Sequence, residues 1–160
     1  MAWGDFNGDY YLDFVVGFEN QPVRIYQNRG DQTFLVAWET PVVLPVRALA
    51  PGDYDGDGDL DLAVGNGTGV ADQLWENEGS GDLGAAPVWT TEAIASTTTA
   101  IAWGDWENDG TLDLAVGRAG EADIVYANLT SQPGLPQFAA LWSSAALSDT
   151  TGLAWGDPDG

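Results

Sequence analysis

Apolar positions along this chain come in short runs separated by polar, glycine-bearing stretches, and the runs recur. Leu12-Asp13-Phe14-Val15-Val16-Gly17, Leu60-Asp61-Leu62-Ala63-Val64-Gly65 and Leu112-Asp113-Leu114-Ala115-Val116-Gly117 read as buried strands bounded by turn signals. Each is followed by a second short segment with an aromatic near its end and an Asn two residues later: Val23 to Asn28, Asp72 to Asn77 and Asp123 to Asn128. A turn leads to a third segment around Trp38, Trp89 or Trp142. A fourth runs into the next Gly-Asp as Val46 to Ala50, Thr97 to Ala102 and Thr150 to Ala154. Nowhere does an i, i+3, i+4 apolar pattern persist. The Ala-rich stretch Phe138 to Leu147 is broken into alternation by Trp142, Ser143 and Ser144, so it too reads as strand.

The segments repeat as a set. Ala-Trp-Gly-Asp stands at Ala2 to Asp5, Ala102 to Asp105 and Ala154 to Asp157, with Ala50-Pro51-Gly52-Asp53 as a further copy. The glycines at 4, 52, 104 and 156 set periods of 48, 52 and 52 residues. Four short strands in about 50 residues is the arithmetic of a β-propeller blade, a twisted antiparallel sheet packed face to face on its neighbours. The expected fold is therefore all-β, with three four-stranded antiparallel blades plus the start of a fourth. The repeats run over about 2–49, 50–101 and 102–153, and 154–160 opens a further one. Tryptophans at matching offsets (Trp38, Trp89, Trp142) are expected to fill the space between blades.

Charge changes the picture most. The 160 residues carry 25 Asp plus Glu against 4 Lys plus Arg, a formal charge of −21. The bases are Arg24, Arg29, Arg47 and Arg118, and lysine is absent. So acidic a chain is repelled by phosphate backbones and anionic lipid, which argues against nucleic acid and the membrane surface and for cations as partners. No apolar run reaches the length needed to span a bilayer, and no secretory signal opens the chain. Without Cys or His there is no disulfide framework, thiolate nucleophile, imidazole base or ordinary zinc site. A hydrophobic content of 44%, with 8 Trp, 5 Tyr and 5 Phe, argues against disorder.

The carboxylates are spaced. After each Gly comes a nine-residue loop with oxygen side chains at positions 1, 3, 5 and 9. These are Asp5, Asn7, Asp9 and Asp13 in the first loop, Asp53, Asp55, Asp57 and Asp61 in the second, and Asp105, Glu107, Asp109 and Asp113 in the third. Position 7 (Tyr11, Asp59 or Thr111) offers its backbone carbonyl. Ca²⁺ takes six to eight hard oxygens at ~2.3–2.6 Å in a tolerant geometry, which a tight turn with alternate side chains inward supplies. Carboxylates converging with no Lys or Arg in the loop repel one another unless a cation joins them. Up to three Ca²⁺ ions are therefore expected. An EF-hand, the competing calcium motif, fails at position 12, where Val16, Val64 and Val116 stand in place of a bidentate Glu.

The pattern Gly-Asp-x-Asp-x-Asp-Gly-x-x-Asp-Leu, followed by an apolar strand and Gly, resembles the FG-GAP/VCBS repeat, the blade of integrin α-subunit propellers and of many bacterial secreted or surface proteins. The resemblance covers essentially the whole chain. It implies a calcium-binding propeller, usually of seven blades, that acts in adhesion or binds a protein or glycan ligand outside the cell. The second loop fits best. Glu107, one methylene longer, and Tyr10, where Gly58 and Gly110 stand in the other loops, make weaker sites of the third and first. Three blades fall short of a closed propeller. The partners expected are thus further blades of a longer chain or further copies in a homo-oligomer. The alternative function is a secreted carbohydrate-active enzyme, a polysaccharide lyase or glycosidase, whose acid or base would be a buried carboxylate outside the loops, such as Glu39 or Glu121. Lone tripeptides (Arg29-Gly30-Asp31 and two glycosylation sequons) are too common by chance to argue from.

Overall fold

A computed structural model describes residues 1–93, 95–130, 136–147 and 149–156. Among these every regular element is a strand, and the strands form three four-stranded antiparallel sheets. The first sheet holds β1 (Ala2–Gly4), β2 (Asp13–Phe18), β3 (Gln21–Asn28) and β4 (Phe34–Glu39) in the order β1-β2-β3-β4. The second holds β5 (Val46–Gly52), β6 (Asp61–Asn66), β7 (Gln73–Trp75) and β8 (Trp89–Thr90) in the order β5-β6-β7-β8. The third holds β9 (Thr98–Gly104), β10 (Asp113–Arg118), β11 (Ile124–Asn128) and β12 (Phe138–Ser143), again as a meander. These are propeller-like blades, with the three expected apolar runs as their second strands.

Register repeats as closely as sequence. Gly4 pairs with Asp13, Gly52 with Asp61 and Gly104 with Asp113, so each acidic loop joins the same two strand positions. Trp38, Trp89 and Trp142 face Ile25, Leu74 and Val125 across the outer ladder, confirming their equivalence. At Gly4, Gly52 and Gly104 the Gly of Gly-Asp has a steric reason, with Leu60 crowding the first. A Cβ at Gly52 would overlap the Trp103 ring and one at Gly104 the Trp155 ring. Each ring lies on the preceding blade's first strand, where Trp103 Nε1 donates to Ala50 O at 2.9 Å and Trp155 Nε1 to Ala102 O at 3.2 Å.

Two expectations are corrected. The segment Thr150 to Ala154 carries no strand ladder, because in each blade the first strand pairs with the apolar run after the acidic loop, and no such run follows it before Gly160. It still runs where a first strand would. Thr150 Oγ1 donates to Asp123 Oδ2 at 2.8 Å, as Thr98 Oγ1 does to Asp72 Oδ2 at 2.8 Å. The Ala-rich stretch is strand only as far as Ser143. The fourth loop copy, Asp157-Pro158-Asp159-Gly160, lies outside the described residues.

The core sits between blades. Between the first and second, Val15, Ile25 and Trp38 meet Leu62, Val64, Trp75 and Leu83 in one buried cluster. Between the second and third, Ala50, Ala63, Leu114 and Val116 are buried, with Trp89, Trp103, Tyr126 and Phe138 half-buried around them.

Candidate metal centres in the acidic loops

Each loop is shaped by its own carboxylates. The position-1 Asp accepts two backbone N–H groups from the far side of the turn. Asp53 accepts from Gly56 and Gly58 at 2.8 and 3.0 Å, Asp5 from Asp9 and Tyr10 at 3.1 and 2.7 Å, and Asp105 from Asp109 and Gly110 at 3.1 and 2.9 Å. The position-5 carboxylate takes the N–H of position 7, leaving that residue's carbonyl as its remaining backbone donor atom: Tyr11 to Asp9, Asp59 to Asp57 and Thr111 to Asp109, each at 2.9 Å. So tight a turn needs left-handed backbone. Gly58 and Gly110 supply it at φ of 99° and 90°, but Tyr10 adopts φ 68° with its side chain 96% exposed, the strained position expected of the first loop. Asn108, at φ 58°, occupies a second left-handed position that Gly8 and Gly56 fill elsewhere.

The position-9 Asp is fully buried in every loop and tied at both oxygens. Asp61 Oδ2 accepts from Tyr54 N–H at 3.1 Å and Oδ1 from Asn77 N–H at 2.9 Å. Asp13 and Asp113 repeat this with Phe6 and Asn28, and with Trp106 and Asn128. Burial pushes Asp61 up to about 7, with the Asp55 and Asp57 charges adding to it and the two N–H donors working against it. Burial raises Asp13 and Asp55 as well, and in Asp55 the neighbouring Asp57 and Asp53 add to the shift. A carboxylate that strains to ionise among like charges is one that a cation would relieve.

The loops are not equal. Among the described residues the grouping of three carboxylates with oxygens all within 4.8 Å of one another is Asp53, Asp55 and Asp61. Asp57 and Asp59 lie outside that trio. In the first loop, Asn7 Nδ2 donates to Asp9 Oδ2 at 2.9 Å, and Asn7 Oδ1 is buried with no donor, an orphaned acceptor at position 3. The third loop opens toward solvent. Asp105, Glu107 and Asp109 are exposed, and Thr111 bonds Asp109 through both its N–H and its hydroxyl. The cause is one position along: Phe6 and Tyr54, at position 2, are buried between blades, whereas Trp106 is 47% exposed on the third blade's outward face.

The sequence reading gave no role to Asn28, Asn77 and Asn128. Asn77 Nδ2 donates to Leu60 O at 3.2 Å within its blade and to Phe6 O at 2.7 Å in the preceding blade's loop, and Asn128 Nδ2 does the same to Leu112 O and Tyr54 O. Each loop is thereby latched to the next blade. The signal was visible: an Asn two residues after the aromatic in every repeat. Glu39 and Glu121, the carboxylates considered for acid or base chemistry, are both exposed, and Glu39 is paired with Arg24 at 2.9 Å.

A family model for the FG-GAP-like repeat matches residues 5–64 and 53–116, two overlapping spans that together cover well over half the chain and include all three acidic loops. The chain belongs to the FG-GAP-like repeat family. Each matched span runs from one acidic loop to the strand beyond the next, so the FG-GAP-like repeat here is bounded by the loops themselves. No curated protein matches the chain.

Proposed function

We propose that this chain is a calcium-stabilised β-propeller-like module for binding a protein or glycan outside the cell, with calcium in a structural role. The observation that carries the reading is the second loop, where Asp53, Asp55 and Asp61 converge within 4.8 Å and no base lies in the loop to balance them. Asp57 and the Asp59 carbonyl complete its oxygen set. The orphaned Asn7 Oδ1 supports a site in the first loop formed with Asp5, Asp9, Asp13 and the Tyr11 carbonyl. Asp105, Glu107, Asp109, Asp113 and the Thr111 carbonyl make the third and weakest. Millimolar extracellular calcium suits such sites.

At a free calcium concentration ten times the dissociation constant, linkage adds about 1.4 kcal/mol per site, or about 4 kcal/mol for three. Adding chelator is therefore expected to lower the melting temperature by roughly 10 °C, and a fall of less than about 5 °C overturns the structural role.

Further blades are the natural neighbours. Trp3 and Phe34 on the first blade, and Trp106 and Trp142 on the third, are exposed at positions whose counterparts between blades are covered. The solution mass in calcium, by light scattering, distinguishes a ring of several copies from a single arc.

A further inference from the structure

The groove between the outer strands of the second and third blades holds a cavity of about 380 Å³. Its walls include Trp89 and Thr90 from β8, Glu92 just beyond, Tyr126 from β11, Phe138 from β12, and Arg118 at the end of β10. Arg118 is out of place there. Among the described residues it is the only buried base, in a chain carrying −21, and just 6% of its surface is exposed. Its Nη2 donates to the Tyr126 hydroxyl at 3.1 Å, while its Nε is buried without an acceptor. Among the described residues no carboxylate lies within ion-pair distance, since the ion pairs found are Arg24 with Glu39 and Arg47 with Glu19. Asp72, whose carboxylate feels the Arg118 charge, is committed to the Asn66 N–H and the Thr98 hydroxyl. The matching position in the second blade is Asn66, so the repeat does not itself require a guanidinium.

A buried, under-satisfied guanidinium costs stability unless something accepts from it. Around it the cavity is aromatic: Trp89 stands edge-on to Tyr126 with centroids 5.4 Å apart and tilted to Phe138 at 4.9 Å. One cation, flat apolar walls and a few polar groups at the rim make a small-molecule site of ordinary size. We infer that this groove binds a ring bearing one carboxylate, the carboxylate received by Arg118 and Tyr126 and the ring lying against Trp89 and Phe138. Glu92 and Thr90, at the rim, offer an acceptor and a hydroxyl to ring hydroxyls, which favours a hexuronate over a plain aromatic acid. The site lies outside the acidic loops, so the inference does not rest on bound calcium. It deepens the ligand-binding part of the proposed function by naming a ligand class.

The test is a titration of isotope-labelled protein, kept in calcium, with glucuronate, benzoate and glucose in separate series, followed by nuclear magnetic resonance. Glucuronate is expected to give saturable shifts of the Trp89 indole and Arg118 Nε–H signals, benzoate weaker ones, and glucose none. Benzoate binding more tightly than glucuronate assigns the site to aromatic acids and overturns the hexuronate preference. Arg118→Lys, which keeps the charge but loses the planar fork, is expected to weaken glucuronate about tenfold or more, and Tyr126→Phe, which keeps the packing, to weaken it several-fold. Because the chain's net charge repels an anion at long range, binding is expected to tighten from low to physiological salt. Absence of saturable shifts with either acid, equal binding of glucose, or wild-type affinity in both variants overturns the inference and leaves the calcium reading standing.

Discussion

The two inter-blade seams are built from the same repeat and are filled differently. In the first, Trp38 is 5% exposed, stands edge-on to Trp75 with centroids 5.1 Å apart, and donates from Nε1 to Gly84 O at 2.8 Å. Leu44 and Leu83 belong to the same buried cluster. In the second, the equivalent Trp89 is half-buried and lines a cavity. Two local differences produce this. The first blade presents Val15 and Ile25 to its seam where the second presents Ala63 and Leu74, and β4 spans six residues where β8 spans two. The loop before β8 also sends Leu83 and Gly84 back over Trp38, toward the closed seam. One repeat thus supplies a structural seam and a seam with room for a ligand.

The contrast breaks most directly at the two tryptophans. Trp38→Ala is expected to cost about 3–5 kcal/mol, since it empties a fully packed position and removes the N–H that donates to the Gly84 carbonyl. Trp89→Ala is expected to cost about 1–2 kcal/mol, because water already reaches that ring. Denaturant unfolding of both variants in calcium measures the difference. Equal losses would mean that the second seam is as well packed as the first.

The latches sharpen the comparison by being common to both seams. Asn77 joins the second blade to Phe6 O and Asn128 joins the third to Tyr54 O, at 2.7 Å in both cases. Asn77→Ala and Asn128→Ala are each expected to cost about 2 kcal/mol by leaving buried carbonyls unpaired. Asn28→Ala is expected to cost less, because among the described residues Asn28 Nδ2 donates within its own blade, to Leu12 O at 3.2 Å. If Asn128→Ala proves harmless while Asn77→Ala does not, the open seam differs in its polar frame as well as in its filling.

What the sequence made legible was the part the repeat dictates locally. Period, strand order and the 1-3-5-9 spacing are properties of consecutive residues, and the three blades and their loop registers follow from them. The position of Tyr10 in left-handed backbone was legible for the same reason, through the glycines aligned with it. Features that depend on what lies across a seam were not. Nothing in Trp89 or Trp142 distinguishes them from Trp38, and their exposure is set by the residues opposite. The Asn latches were visible as a recurrence but not as a contact, because their partners lie 71 and 74 residues away. Arg118 passed as one of four arginines; only the fold shows it buried.

The smallest expected effect separates packing from function within the open seam. Arg118→Met keeps an unbranched chain of similar length while removing the buried charge and its orphaned Nε. Tyr126 keeps its packing and loses one hydrogen bond. Exchanging a buried, incompletely paired charge for an apolar side chain is usually neutral or stabilising, so unfolding free energy is expected to change by between zero and about +1 kcal/mol. Glucuronate binding is expected to vanish in the same variant. A loss of stability of 2 kcal/mol or more would instead make Arg118 a structural member of the seam, through Tyr126 and the Asp72 charge. The closed seam offers the control: Asn66, at the equivalent position, has its Nδ2 on Ala71 O at 2.8 Å, and Asn66→Ala is expected to destabilise, as loss of a buried hydrogen bond should. Opposite signs at two positions related by the repeat, together with loss of glucuronate binding in Arg118→Met, would mean that the second seam gives up stability at Arg118 where it binds.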